Sequence, residues 1–569
     1  MPGNYRAPGV YVEELPSGVR PVVGVSTSTA AFVDVFARGD ANRAIRIAGP
    51  GDFEREFGGT FRFSEASYAI NQFFLNGGST AFVVRVLPDG AQSASVDLPL
   101  EGTGGTSGST SGGGASGGGA SGGASGGTSG ASGGGASGGA PGLTAHARNE
   151  GEWANGLMVG VQHPAASNPP AFDLVVGRKV TVGGRERVAV LEVFRGLTVD
   201  QDHSRYVRTV IERGSSLIRI DEGIGGRPGP TVGTGSDVAR SRDAHDFREL
   251  TNGRDGDVPS SVEDAALATR LVGNPALGTG MWALDSIAPE IFNILCVPAM
   301  AVLTDAGRTT VLAAAQDFCQ DRRAMLLIDP PRTHDDATTT SALSGLMNDY
   351  AENLDPHPNT AAYFPRLTIP DPLGGERRVG PSGTVAGIWA RFDGRHGVWR
   401  APAGTEATLL GANTVLTMNE SVSEQFNPVG VNVLRTFPIF NDVVWGARTR
   451  VGADLLADQW KYVPVRRTAL FIEESLRQGL QWVVFQPNDH ALWAQIRLNV
   501  GSFMQRLFRL GAFAGISARE AYLVKCDADT TTADDVSIGV VNIVVGFQPL
   551  IPAEFVVIKI QQLTRPPEA

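Results

Sequence analysis

The feature that most constrains this chain is a run from Gly102 to Gly142 built almost wholly of Gly, Ser, Thr and Ala, in repeats such as GGGASGGGASGG. Such a run has no apolar area to set against the entropy of ordering it. It reads as flexible coil, with ends roughly 35 Å apart if about 40 residues follow the square-root law for Gly-rich linkers. Every packed core must come from the residues on either side. A chain of 569 residues is too long for one core, so three or four domains are expected.

Ahead of the tract, residues 1–21 carry Pro2, Pro8, Pro16 and Pro21 around a short extended run at Val10, Tyr11 and Val12. Proline at that density prevents a compact helix, and the segment reads as an arm. Residues 22–97 then read as strand, helix, strand. Ser64 is placed to cap a helix whose stripe is Ala66, Ala69, Ile70, Phe73 and Phe74, and 80–87 reads as a strand. Beyond the tract (98–142), residues 143–259 alternate in short strands such as 171–176, 187–194 and 216–220, which predicts a β-rich inserted domain. Residues 260–420 carry apolar strands at 291–297 and 324–329 around a helix at 309–322. This is the βαβ pattern of a parallel sheet covered on both faces. A further helix is expected at 381–392, with Val385, Ile388, Trp389 and Phe392 on one side.

The last third has the densest apolar pattern. Residues 431–438 and 443–450 read as strands, 467–481 as a helix, and 491–510 as a second helix. The face of that second helix is Ile496, Val500, Phe503, Met504 and Leu507, and Gly511 stands where a left-handed cap would end it. Strands are expected at 521–526, 536–547 and 554–560. The last of these, with Phe555, Val556, Val557, Ile558 and Ile560, is apolar on both faces and would be an aggregation hazard if left unpaired. Residues 421–552 are therefore assigned to an α+β domain and 553–569 to a connecting strand. The expected class is α/β and α+β multidomain, with a β-rich insertion and extended arms at both ends.

Catalytic and binding classes find little support. The formal charge of −11 argues against a nucleic-acid binder. No run approaches 18 consecutive apolar residues, so no membrane insertion is expected. No two of the eight histidines lie within four positions of each other, no C-x-x-C occurs, and the dipeptide Gly-Lys is absent. These absences remove the commonest metal pairs and a phosphate-binding Walker loop, so no metal or cofactor is expected. Cys296, Cys319 and Cys526 read as buried thiols of a reducing compartment. Arg332 to Asp336 follows a strand end, where α/β sites usually sit, but reads as a solvated loop. Trp482, Phe485 and Trp493 read as core, and His396 as structural. A secreted or surface-layer binding protein is the other non-catalytic class. It calls for a signal segment that MPGNYRAPGVYVEELP does not resemble.

Several runs bear a family resemblance: VNVLRTFP, VVWGARTR, WKYVPVRRTALFIEESLRQGLQWVVFQPND and PAEFVVIKIQQL, together with PSGTVAGIWARFDGRHGVWRAPAG (Pro381–Gly404) and YRAPGVYVEELPSG (Tyr5–Gly18). They resemble contractile tail sheath proteins of phages and of related injection systems, leaving only about 98–260 unmatched. The resemblance implies a non-catalytic subunit that assembles in the bacterial cytoplasm as stacked rings or a helix around an inner tube protein, with baseplate and terminator or cap proteins at its ends. It further implies that both chain ends exchange strands with neighbouring copies, through Val10, Tyr11 and Val12 at one end and Phe555 to Ile560 at the other. Sheath subunits grip their tube through the C-terminal domain. Arg506 and Arg509, one turn apart and off the apolar stripe, are thus candidate contacts to an acidic tube, against the simpler reading of a solvated helix face.

Overall fold

The computed structural model describes residues 21–101, 141–164, 170–221, 223–232, 238, 240, 243–257, 265–334, 345–346, 350, 354–418 and 420–555. The expectations at Val10, Tyr11 and Val12, at Val556 to Ile560 and at 102–140 lie outside them.

The chain forms two compact units, one of Ala37–Asp40 and Leu87–Val258, the other of the remainder. The larger unit begins with β1 (Ala30–Asp34), β2 (Ala44–Ile47), α1 (Glu65–Leu75) and β3 (Ala81–Arg85). Ser64 caps α1 as its sequence predicts, its hydroxyl accepting from the Ser67 amide at 3.0 Å.

The chain then enters the second unit, with β4 (Ser95–Pro99), β5 (Pro141–Ala147), β6 (Leu157–Gln162), β7 (Phe172–Val182), β8 (Arg185–Leu197), β9 (Ile218–Ile220) and β10 (Arg248–Glu249). One sheet runs β10-β6-β7-β8 and another β4-β5-β9. Leu98, Leu143 and Ala145 share a buried core with Val159, Leu174, Val176 and Ile218. Strand β4, read from sequence as the tail of the first segment, belongs to this unit. It pairs antiparallel with β5, Pro99 opposite Pro141, so the Gly/Ser tract begins and ends on adjacent strands.

Back in the larger unit come β11 (Ile294–Cys296), α2 (Asp305–Arg322), β12 (Met325–Ile328), β13 (Thr360–Phe364), α3 (Ser382–His396), β14 (Val431–Phe437) and β15 (Asn441–Val444). One sheet of eight strands gathers them in the order β15-β14-β13-β12-β11-β1-β3-β2. The six central strands are parallel, with an antiparallel strand at each edge. The expected βαβ unit is present as β11-α2-β12. Strands β14 and β15, assigned from sequence to the C-terminal domain, instead extend this sheet.

Side chains alternate across the sheet as the two-residue period requires. Ala31, Val33, Leu295, Leu326 and Ala362 pack against α2 and the helix Ala265–Val272. Ala30, Phe32, Ile294, Cys296, Leu327 and Tyr363 face α1 and α3. Helices α1 and α3 approach closely at two glycines. A Cβ at Gly383 would stand 2.2 Å from the Ala69 carbonyl oxygen, and one at Gly387 would stand 2.5 Å from that of Phe73.

The chain ends in a lobe of α4 (Val463–Gly479), α5 (His490–Arg509), β16 (Tyr522–Lys525) and β17 (Val544–Phe547). Helix α4 starts a turn earlier than its pattern predicts because Pro464 sits in its first turn, where no amide partner is needed. The strand expected over 536–547 shortens to β17. Residues Ala533–Ser537 are helical instead, held by a capping box in which Thr532 and Asp535 satisfy each other's amides. No strand forms at Glu554 or Phe555.

Candidate assembly surfaces

Helix α5 organises the lobe. Its predicted stripe of Ile496, Val500, Phe503, Met504 and Leu507 is buried. Asp489 caps its start by accepting the Leu492 amide at 2.8 Å, and Gly511 follows its end at φ 77°. Strands β16 and β17 pair antiparallel, Tyr522 opposite Phe547 and Lys525 opposite Val544. Among the described residues this sheet has only these two strands, so each has one outer edge without a ladder partner. Leu523 and Val544 lie exposed on it. A two-stranded sheet is marginal by itself, and an open edge invites a further strand.

The root of the N-terminal arm lies along α4. Val22 is buried in the lobe core, and Gly24 fits only because it lacks a Cβ, which would meet the Phe471 ring at 2.8 Å. The Val25 amide donates to Ser475 Oγ at 3.2 Å, and Arg467 donates to the Thr27 carbonyl at 2.9 Å. Of the two predicted tube contacts, the Arg506 guanidinium donates weakly to the Val22 carbonyl at 3.4 Å and lies 5.6 Å from the Phe503 ring centroid. Arg506 and Arg509 are both exposed, so the two share one face of α5 beside the arm root.

The other end of the chain is tied elsewhere. Gln548 donates its amide to the Ala521 carbonyl, and Pro549 pairs with Phe513. Glu554 then reaches Arg448, which follows β15 on the central sheet. The contacts are bidentate, Nε to Oε1 and Nη2 to Oε2, both at 2.6 Å. Phe555, a predicted strand-exchange residue, is exposed just beyond. Sequence reasoning missed Arg448 and Glu554. The available signal was that Glu554 is the only charge between Asp535 and Lys559.

The expected aromatic core at Trp482, Phe485 and Trp493 is corrected. Trp493 is buried and its indole donates to Asn488 at 2.8 Å, but Phe485 is fully exposed on a left-handed backbone at φ 67°. The Asn488 side chain donates to the Val540 carbonyl at 2.9 Å, tying the loop after Phe485 to the segment before β17, where Ile538 and Val540 are exposed. Ile516, also nearly fully exposed, lies past the far end of α5.

The carboxyl ends of the parallel strands, where an α/β active site would lie, are filled by ions. Glu65 pairs with Arg366 at 3.2 Å, with Arg377 at 2.7 Å and with Arg332. Burial alone would raise the Glu65 pKa, but the three guanidiniums hold it below the usual carboxylate range. At Asp34 burial wins over the Ala66 and Val35 amides and the Ser64 hydroxyl and pushes the pKa to about 7. At Asp329 burial wins over its bonds from Ser382, giving about 6. Ser382 Oγ donates to Asp329 at 2.6 Å and both residues are only 1% exposed, which fits a structural pair at the start of α3. The loop reading of Arg332 to Asp336 is corrected as far as His334, which is buried against the Tyr350 and Phe364 rings. Asp335 and Asp336 lie outside the described residues. His396 bonds Glu406 at 3.1 Å. All three cysteines are buried. Among the described residues no group of His, Cys, Asp or Glu could hold a metal, and no helix is long and apolar enough to cross a membrane.

The model of the phage tail sheath protein central domain matches residues 271–450, and that of the phage tail sheath C-terminal domain matches 457–562. No curated protein matches in sequence. The fold is similar over nearly the whole chain to the PVC sheath of an extracellular contractile injection system in its contracted state, at 17% identity and TM-score 0.53, covering 98% of both chains. A chain of the anti-feeding prophage baseplate is similar at 20% identity and TM-score 0.51, covering 98% of this chain and 100% of that one. The sheath tail protein of Listeria innocua is similar at 11% identity and TM-score 0.55, covering 93% and 96%. The two sheath domain models together span half of the chain, and the fold is similar to solved sheath structures over most of its length, so this chain belongs to the contractile tail sheath family as a structural subunit of the sheath.

Proposed function

We propose that copies of this chain stack around an inner tube, linked through exchanged terminal strands, and drive the tube through a target envelope when the sheath contracts. The observation that carries this reading is the lobe itself. A two-stranded sheet with open edges and exposed Leu523 and Val544 lies in the same lobe that roots the N-terminal arm. Strand addition to such an edge supplies main-chain hydrogen bonds and covers the apolar side chains. Val10, Tyr11 and Val12 of one copy and Phe555 to Ile560 of another are the strands assigned to those edges. With its links held, each subunit pivots between two packings, and the energy of contraction lies in the surfaces between copies. Arg506 and Arg509 are assigned to the tube. A baseplate and a terminator are the partners at the two ends of the sheath, and the assembled particle, phage or injection system, is the protein's location.

The test is two truncations, one deleting residues 1–20 and one ending after Phe555, each read by circular dichroism melting and electron microscopy. Both variants are expected to melt cooperatively as soluble monomers that form no tubes, and to poison assembly when mixed with the full chain. Tubes from both would sink strand exchange.

A further inference from the structure

The last described stretch of the chain is held in an uneven way. After Pro549 pairs with Phe513, Leu550, Ile551 and Ala553 are exposed and no regular structure forms. Phe555 is 74% exposed. Between them one side chain, Glu554, is gripped from every side. Arg448 donates to both of its oxygens, Asn427 Nδ2 donates to Oε1 at 3.0 Å, and the Tyr462 hydroxyl donates to Oε2 at 3.2 Å.

The remaining nitrogen of Arg448 donates to the Asn427 carbonyl at 2.8 Å, the Gly452 carbonyl at 3.3 Å and Asp454 Oδ1 at 3.0 Å. Its side chain is 1% exposed. Its backbone is pinned in turn by Asn432 of β14, which accepts the Arg448 amide at 2.7 Å and donates to its carbonyl at 2.8 Å. A buried guanidinium bonded at all three of its nitrogens is a rigid fork, and a carboxylate held on it by two bonds is fixed in position and orientation.

A segment that only closed its own subunit's core would bury its apolar residues. This one leaves them outside and buries a charge instead. We infer that Arg448 is the anchor of the C-terminal connecting strand, fixing Glu554 at the strand's root so that a pull from a neighbouring copy is delivered to the central eight-stranded sheet and not to the lobe. The inference rests on the strand-exchange reading. It adds that the link has one fixed take-off point, two residues ahead of Val556. Burial pushes against both charges, but the pairing outweighs it, holding the Glu554 pKa below and the Arg448 pKa above their usual values. The anchor is therefore fully charged wherever the sheath works near neutral pH.

The experiment compares Glu554→Gln, which keeps the shape and loses the charge, and Glu554→Ala with the full chain and with the truncation after Phe555. Hydrogen exchange is read in the monomer and sheath length in the assembly. The expected result is a Glu554→Gln monomer that still folds and melts cooperatively, at a somewhat lower temperature because Arg448 loses a buried counter-charge, exchanges faster across 548–555, and forms sheaths at least fivefold fewer or shorter. Glu554→Ala should be more severe. Sheaths of parental number and length from Glu554→Gln, while the truncation forms none, would overturn the anchor and leave strand exchange standing. Full sheaths from the truncation would overturn both. A Glu554→Gln chain that no longer folds as a monomer would also overturn the anchor, because the pair would then be a piece of the core.

Discussion

The central sheet and the C-terminal lobe use apolar sequence in opposite ways. Every residue of β1, β3 and β13 is buried, and the helices on both faces bury their stripes against them. No residue of β16 or β17 is buried, although β17 carries two valines and both strands lie beside α5, whose apolar stripe is buried. The central body completes its own core, while the lobe leaves Leu523, Val544, Ile538, Phe485 and Ile516 facing outward. A monomer built for itself would not do this, since exposed apolar groups and open strand edges promote association. In a sheath subunit the division has a use. On the strand-exchange proposal, the buried central body would keep its shape while the lobe is completed by neighbouring copies.

The hardest test of that contrast is in the central body. Trp389 is fully buried on α3 beneath the Arg467 guanidinium, 4.5 Å from its ring centroid. Trp389→Ala should cost about 3–5 kcal/mol and collapse the melting transition. An unchanged melt would mean that the sheet is not where stability resides.

A smaller effect is expected at Asp34. Its carboxyl titrates at the ordinary 3.8 when unfolded and near 7 when folded, because burial outweighs the hydrogen bonds it accepts. The folded state therefore holds the proton more tightly. The stability this gives is present in full below pH 3.8 and is lost as pH rises through about 7. Asp34→Asn cannot titrate, so its melting deficit relative to the parent should narrow between pH 4.5 and 7.5. A deficit constant with pH would remove Asp34 from the account.

The smallest effect on folding belongs to the lobe. Phe485→Ala should change monomer stability by less than about 0.5 kcal/mol while reducing sheath yield. Loss of stability without loss of assembly would reverse the comparison.

Local and periodic features were readable in the sequence. The α5 stripe, the Ser64 cap and the β11-α2-β12 unit each lie within a short window that carries its own signal. What escaped was non-local or lay in backbone geometry. Nothing in a run of residues near position 30 announces that it will lie between β11 and β3, because parallel pairing has no turn to mark it. Phe485 sits between two tryptophans in sequence, and only its left-handed backbone swings the ring into solvent. The Thr532–Asp535 capping box is present in the letters, but the valines that follow give the segment a strand-like pattern that hides it. Arg448 and Glu554 come together through the path of the chain end, which no spacing rule encodes. The exchange role of residues 10–12 rests on the family resemblance, and that of 556–560 on the resemblance together with an apolar pattern on both faces of the strand.

The pairing of Pro99 with Pro141 fixes the two points between which the Gly/Ser tract must close. Because both of its ends are fixed on neighbouring strands, its length is nearly without consequence for the fold, each doubling costing only about 0.6 kcal/mol of closure entropy. Copying errors in so repetitive a gene segment, gaining or losing a GGGAS unit, would pass through unselected by stability. A foreign peptide whose ends lie close together could be carried at the same point. A series of chains with shortened or lengthened inserts between Pro99 and Pro141, read by melting and by sheath assembly, would test whether length at this point is neutral.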